Sequence, residues 1–252
     1  MRILSIDSSL GTQVAVVDAA PSAAGARALQ VLSQDEQADT RRHAESLGQM
    51  LSRALSAPEA AERPLDAVVA ATGPAPFTGL RAGLVTAGVV GRTRGVPVHG
   101  VSSLDAVARR ALDELGSHEG QAGPVVLVAT DARRREVYTA LFRANGPDDV
   151  TRLTEIIVCP PAQVAQRLAE QAPGPGGGSG GIDVVAGSGA SLYPELAEMA
   201  SYQKALAPVS GDALTQVRIA LARLERGEEL STQPLYLRHA DVQMPAARKR
   251  VR

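Results

Sequence analysis

Residues 3–18 read ILSIDSSLGTQVAVVD, and this stretch decides the fold. Two runs rich in Val, Ile and Leu, 3–7 and 13–18, flank the turn residues Ser8, Ser9 and Gly11, the pattern of two strands joined as a hairpin. A third run at 28–33 extends the sheet, and a helical pattern over 40–57 places Leu47, Met50, Leu51, Ala54 and Leu55 on one side. A strand over 65–72 follows, then a Gly- and Pro-rich loop and a helix over 79–93. The first half closes with a short strand at 96–99 and a helix that Ser102 caps and that runs through Leu115.

The second half repeats that order. Strands are expected at 125–131, 136–142 and 150–158, a helix at 162–170 and a strand at 182–186. A helix at 192–199, a weak strand at 203–207 and a helix capped by Asp212 and reaching about Arg226 complete it. Each half reads βββαβαβα, which predicts a duplicated α/β fold of two lobes, each a mixed sheet with helices on its faces. The boundary is expected at 116–123, giving lobes over 1–116 and 117–252. The stretch PGPGGGSGG over 173–181 has no side chains to bury and reads as a flexible loop, and 246–252 reads as a basic, solvated tail.

Composition narrows the chemistry. At 252 residues and 44% hydrophobic, the chain can bury a large core, yet aromatics are 2%, so Ala, Val and Leu must build it. A net charge of −1 provides no global attraction to nucleic acid. The single cysteine, Cys159, lies in an apolar run and reads as a small buried hydrophobe; it excludes an internal disulfide framework and a multi-Cys zinc site. The N-terminus has no signal-peptide pattern, and no 18-residue apolar run exists to span a bilayer, so a soluble, cytoplasmic protein is expected. The four histidines stand apart, none with a His or Cys at i+3 or i+4, so no helix presents a metal-binding pair.

The duplicated order is that of the actin-like ATPase (RNase H-like) fold, in which such hairpins hold phosphate. Asp7 and Ser8 occupy that position in the first half and Asp131 in the second, within TDARRREV. A phosphate turn needs glycine so that the backbone can approach, and here Ala132 and Arg133 stand instead. Gly187 and Gly189, between a strand and a helix, resemble the adenosine-contacting turn of the same fold and equally read as an ordinary β–α connection. The nucleotide apparatus is therefore half present, and no cofactor is expected; the isolated chain should bind ATP weakly or not at all.

The most specific stretch is TGPAPFTGLRAG over 72–83. It resembles the GPGSFTGLRxG motif of the TsaB (YeaZ) family: Gly73, Pro74, Phe77, Thr78, Gly79, Arg81 and Gly83 match, whereas Ala75 and Pro76 depart. The resemblance continues in ILSIDSS, RRHAESL, PVHGVSSLDAVA, TDARRREVY and the closing PLYLR. It implies a non-catalytic paralogue of the catalytic subunit TsaD. With TsaD and the ATPase TsaE, such a subunit supports transfer of threonylcarbamoyl to N6 of adenosine 37 in tRNA. TsaD holds its metal through a His-x-x-x-His pair, and here His43 is followed four residues later by Leu47, so the second ligand is missing. Other readings are an active ATP-dependent enzyme of the actin-like superfamily, which needs a phosphate cradle, and a peptidase, which needs a metal pair or an activated nucleophile.

In the family two helices form the surface shared with TsaD, and two TsaB copies use it when TsaD is absent. Here the matching residues are His43, Leu47, Met50, Leu51 and Ala54 on the first helix, and Gly79, Gly83, Ala87 and Gly91 on the second. The latter recur every fourth residue and form a strip without large side chains, expected either to face a partner helix or to pack on the chain's own sheet.

Overall fold

The computed structural model describes residues 1–20, 26–38, 43–115, 123–171, 181–201, 205–206 and 212–237. All but residue 123 of the expected boundary at 116–123, nearly all of the Gly/Pro stretch and the basic tail lie outside them. The first half runs β1 (Arg2–Asp7), β2 (Thr12–Ala19), β3 (Leu29–Gln37), α1 (His43–Ser56), a short α2 (Pro58–Ala61), β4 (Ala67–Ala71), α3 (Phe77–Arg94), β5 (Val98–Val101) and α4 (Ser103–Leu115). The second runs β6 (Val126–Asp131), β7 (Val137–Asn145), β8 (Asp149–Arg152), β9 (Ile157–Cys159), a 3-10 turn and α5 (Val164–Gln171), β10 (Val184–Ala186), α6 (Ser188–Leu192), α7 (Pro194–Ala197), β11 (Ala205–Leu206) and α8 (Ala213–Glu225).

The first sheet has the order β3-β2-β1-β4-β5, with β2 antiparallel to its neighbours and β1, β4 and β5 parallel. The second repeats it as β11-β10-β6-β7-β8, with β9 also on β7. This is the duplicated actin-like fold. The expected strand at 150–158 is two strands, because the ladder is interrupted where Thr154 Oγ1 accepts the Leu141 amide at 3.0 Å. The expected helix at 192–199 is likewise two short helices, since Pro194 cannot continue α6 and starts α7.

Both sheets are covered on both faces, which explains their near-continuous apolar strands. Leu4, Ile6, Val14, Val16, Val68 and Ala70 face α1 and α3, whereas Ile3, Ala15, Val17, Ala67 and Val69 face the other way, toward α8. The last helix of each half crosses to the other half's sheet. From α4, Leu104, Val107, Ala108, Ala111 and Leu112 pack on Val126, Val128, Tyr138, Ala140 and Phe142 of the second sheet. From α8, Ala213, Val217, Ala220 and Leu221 pack on the first. Lobes divided at residue 116 therefore misplace two helices, a reciprocal exchange that corrects the expected domain limits. Cys159 is buried as expected, among Leu127, Val137 and Val164.

An arginine–aspartate cluster joins α4, α8 and β8. Arg223 donates to Asp105 at 2.9 Å and to Asp149 at 2.8–3.0 Å, while Arg152 reaches Asp105 from the other side at 3.0 Å. Arg226 also binds Asp149, and Arg218 bridges Asp113 and Asp148. Asp105 and Asp149 are almost wholly buried, so removing one cation leaves desolvated charge. Arg223→Ala is expected to cost about 3 kcal/mol or more, read as a lower urea midpoint. Arg226→Ala, at a half-exposed side chain, should cost clearly less.

Candidate functional site

The β1–β2 hairpin ends in Asp7, which is 1% exposed. One carboxylate oxygen accepts from the Ser9 amide at 2.8 Å and its hydroxyl at 2.6 Å. The other accepts from the Asp212 amide at 3.2 Å, at the start of α8, and from the Gln216 side chain. Burial pushes the Asp7 carboxyl above the ordinary carboxylate range, and these hydrogen bonds oppose the shift. Ser8 turns inward and donates to the Gly79 carbonyl at 2.8 Å. Both nucleotide-site candidates of the first half are thus committed to the chain's own α8 and α3.

The matching hairpin of the second half is closed in another way. Arg133, Arg134 and Arg135 hold φ of 63°, 57° and 59°, a left-handed turn made without glycine. Asp131 accepts the Arg133 amide at 2.8 Å and pairs with its guanidinium at 3.2 Å, while the Glu136 amide returns to the Arg133 carbonyl at 3.1 Å. The Asp131 amide donates to Ser188 Oγ at 3.0 Å. Gly187 and Gly189 are small for a packing reason: a Cβ on either would overlap the Ala129 carbonyl of β6. Both glycines thus mark a close approach of α6 to β6, the ordinary β–α connection that the sequence equally allows.

The motif loop over 72–83 is a hub. The Thr72 carbonyl accepts the Leu235 amide and the Gly73 carbonyl the Ser103 amide, both at 2.8 Å, so the loop ties the C-terminal segment and α4 to the first sheet. Gly73 has φ of 87°, and a Cβ there would crowd Leu80 and the Ala75 amide. Ala75 is buried, and Pro76 is the residue at which α3 starts. Phe77 is outside the core: its ring lies 5.1 Å from that of Tyr236, with the Arg81 guanidinium 3.8 Å from the Phe77 centroid. Thr78 is exposed beside it.

The small-residue strip of α3 faces inward. Gly79, Gly83, Ala87 and Gly91 are all buried. A methyl on Gly83 would strike Ser8, and one on Gly91 would strike Val98. On α1, Leu47, Met50 and Ala54 are core residues and Leu51 packs against them. The expected partner surface is therefore corrected: these side chains bind the chain's own sheet, because a helix can approach a sheet this closely only through glycine and alanine. The side chain of His43, which opens α1, lies outside the described residues. Among the described residues no group of three or more His, Cys, Asp or Glu could hold a metal ion.

Opposite the strip lies an outward line of side chains, among them Val85, which sequence reading left free to pack on the sheet. Val85 is 65% and Val89 50% exposed, in line with Phe77 and Arg81, roughly 160° around the helix axis from the glycines. Their i, i+4 spacing was a visible signal. Gln216 and Tyr236, by contrast, reach the site only through the tertiary fold.

A family model described as TsaD, tRNA N6-adenosine threonylcarbamoyltransferase, matches residues 30–173. YeaZ from Pseudomonas aeruginosa superposes with a TM-score of 0.66 at 25% identity, over 94% of this chain and 99% of that one. A second Pseudomonas aeruginosa structure, of an uncharacterised protein with similarity to peptidase YeaZ, gives a TM-score of 0.69 with the same identity and coverage. The chain belongs to the TsaB (YeaZ) branch of this family. An uncharacterised Mycobacterium leprae protein is 40% identical over 140 residues, 56% of this chain and 36% of that one. One from Mycobacterium tuberculosis is 42% identical over 123 residues, 47% of this chain and 53% of that one. The chain thus spans between a third and about half of the length of these curated relatives. Among the described residues of this TsaB-family chain, no helix is long and apolar enough to cross a membrane.

Two outcomes follow. The Asp7 carboxyl binds its proton more tightly folded than unfolded, so its contribution is most favourable below the unfolded value near pH 4 and declines as pH rises through the folded value. Urea titrations of Asp7→Asn and wild type from acid to neutral pH should show the difference moving in favour of Asp7→Asn as pH rises. Ala87 is fully buried, so Ala87→Glu should lose several kcal/mol and largely unfold by circular dichroism. A folded Ala87→Glu would put the strip back on the surface.

Proposed function

We propose that this chain is a non-catalytic subunit for formation of N6-threonylcarbamoyladenosine at adenosine 37 of tRNA. It binds and supports the catalytic subunit TsaD, with TsaE as the ATPase of the assembly and tRNA met through the complex, in the cytoplasm. One observation carries the reading. Both hairpins that the actin-like fold uses for phosphate are occupied by the chain's own groups, Asp7 by Ser9, Asp212 and Gln216, and Asp131 by Arg133 and the left-handed turn. A chain that fills its phosphate positions with internal hydrogen bonds serves by binding rather than by turning over nucleotide. Membership of the TsaB branch supplies the reaction it supports.

The surface best suited to TsaD is the outer side of α3 with the adjoining α1. Val85 and Val89 stand in solvent there, and a Cβ on Gly88 of α3 or on Gly48 of α1 would meet open space. Exposed β-branched side chains in one line on a helix gain most when a second helix covers them. The same face would join two copies of the chain when TsaD is absent.

Deleting the gene should abolish or sharply lower threonylcarbamoyladenosine in bulk tRNA, measured by mass spectrometry of nucleosides, with recovery on complementation. Unchanged modification overturns the reading. Val85→Asp should fold with a melting temperature near that of wild type, because it alters an exposed site, yet fail to co-purify with TsaD.

A further inference from the structure

We propose that Arg81 is a carboxylate-binding anchor: its guanidinium receives an Asp or Glu side chain from the partner helix that covers α3, and Tyr236 is the positioning residue that aims it. The inference rests on the docking surface proposed above and names the chemistry its occupant must carry.

The geometry begins with how Arg81 is held. Its guanidinium carbon lies 3.8 Å from the Phe77 ring centroid and 5.7 Å from that of Tyr236. Its Nε donates to the Tyr236 hydroxyl at 2.9 Å. Two aromatic rings and one hydrogen bond fix the plane of a side chain that would otherwise sample many rotamers in solvent. The terminal nitrogens meet no hydrogen-bonding partner among the described residues, and the side chain is exposed. A fixed fork with both prongs unsatisfied is suited to a carboxylate approaching in its plane, and the ordering cost of the arginine has been met before the partner arrives.

Tyr236 is itself anchored. The segment after α8 crosses back to the first sheet, where the Gly100 amide donates to the Leu230 carbonyl at 3.2 Å and the Leu235 amide to the Thr72 carbonyl at 2.8 Å. A Cβ on Gly100 would overlap Ser231, so β5 has a glycine where this strap passes. The strap delivers Tyr236 to α3 from the far end of the sequence.

Charge selects the occupant. α3 carries Arg81, Arg92 and Arg94 and no acidic residue, within a chain whose net charge is −1. Val85 and Val89 continue the line from Arg81, so the site is a cation at one end of an apolar stripe. That pairing fits an amphipathic protein helix with an acidic residue at one end, rather than a phosphate backbone, which has no use for exposed valines.

The test is calorimetric titration of TsaD with the full chain at low and high salt. Arg81→Gln should weaken binding about ten-fold at low salt and flatten its salt dependence, with Arg81→Lys in between. Tyr236→Phe should weaken wild type several-fold but leave the Arg81→Gln affinity unchanged, as expected of a residue acting through Arg81. Neutralising the acidic residues of the TsaD docking helix one by one should find one whose loss weakens wild type and not Arg81→Gln. Equal affinity for Arg81→Gln, or a weakening identical at both salts, overturns the anchor while leaving the docking surface standing. Loss of tRNA binding by the chain with TsaD affinity intact also overturns it, in favour of a nucleic-acid contact. A wild-type chain that forms no complex with TsaD overturns the proposed function itself.

Discussion

Arg223 lies between Asp105 of α4 and Asp149 of β8, and the relation of the two halves depends on that placement. Each half lends its last helix to the other's sheet, so the interface between them is built from four hydrophobic faces rather than two. Where α4 and α8 meet, the apolar packing gives way to buried carboxylates, and Arg223 satisfies two of them at once. Apolar burial is tolerant of sliding; bidentate ion pairs at fixed distances are not. The cluster therefore sets the register of the exchange, and the exchange brings the start of α8 to the β1–β2 hairpin.

That last consequence reaches the candidate site. Asp212 caps α8 by accepting the Thr215 amide at 2.9 Å, and its own amide donates to Asp7. Gln216, one turn on, donates to the same carboxylate. The helix that secures the lobes thus also occupies the acid that a nucleotide-using relative would present to its ligand. At the second hairpin α6 contributes Ser188 to the Asp131 amide, and the tip closes through Arg133–Arg135, at the conformational cost of three left-handed residues bearing Cβ atoms. Two unrelated local solutions thus tie both hairpin tips to the chain's own groups.

Much of this was legible in sequence. Runs such as 3–7, 13–18 and 125–131 are β-branched and bounded by turn residues, so strand order and duplication followed from local pattern. Membership followed from a motif whose residues have separable physical reasons: Gly73 for its backbone angle, Gly83 for the approach of Ser8. The α3 strip failed as a partner surface because four-residue spacing of small residues is equally the mark of a helix pressed on a sheet, and spacing alone does not say which neighbour arrives. The pairing of Gln216 with Asp7 and of Tyr236 with Arg81 was silent because the members of each pair lie 209 and 155 residues apart. No local window contains both members of either pair.

The two faces of α3 are linked through a single constraint. Gly83 admits the Ser8 side chain against the helix, and Ser8 in turn donates to the Gly79 carbonyl one turn earlier. This commits the Ser8 hydroxyl to α3 and draws the helix onto the sheet in one step. A helix seated so deeply by its glycines cannot rotate without driving backbone into Ser8 and Val98. Its opposite face is consequently held still, and the side chains there gain a fixed orientation that a loosely packed surface helix lacks. Phe77, Arg81, Val85 and Val89 are exposed because the glycine side claims the sheet. The contacts of Ser8 with Gly79 and Gly83 at the hairpin tip are thus the ones that orient the outward face of α3.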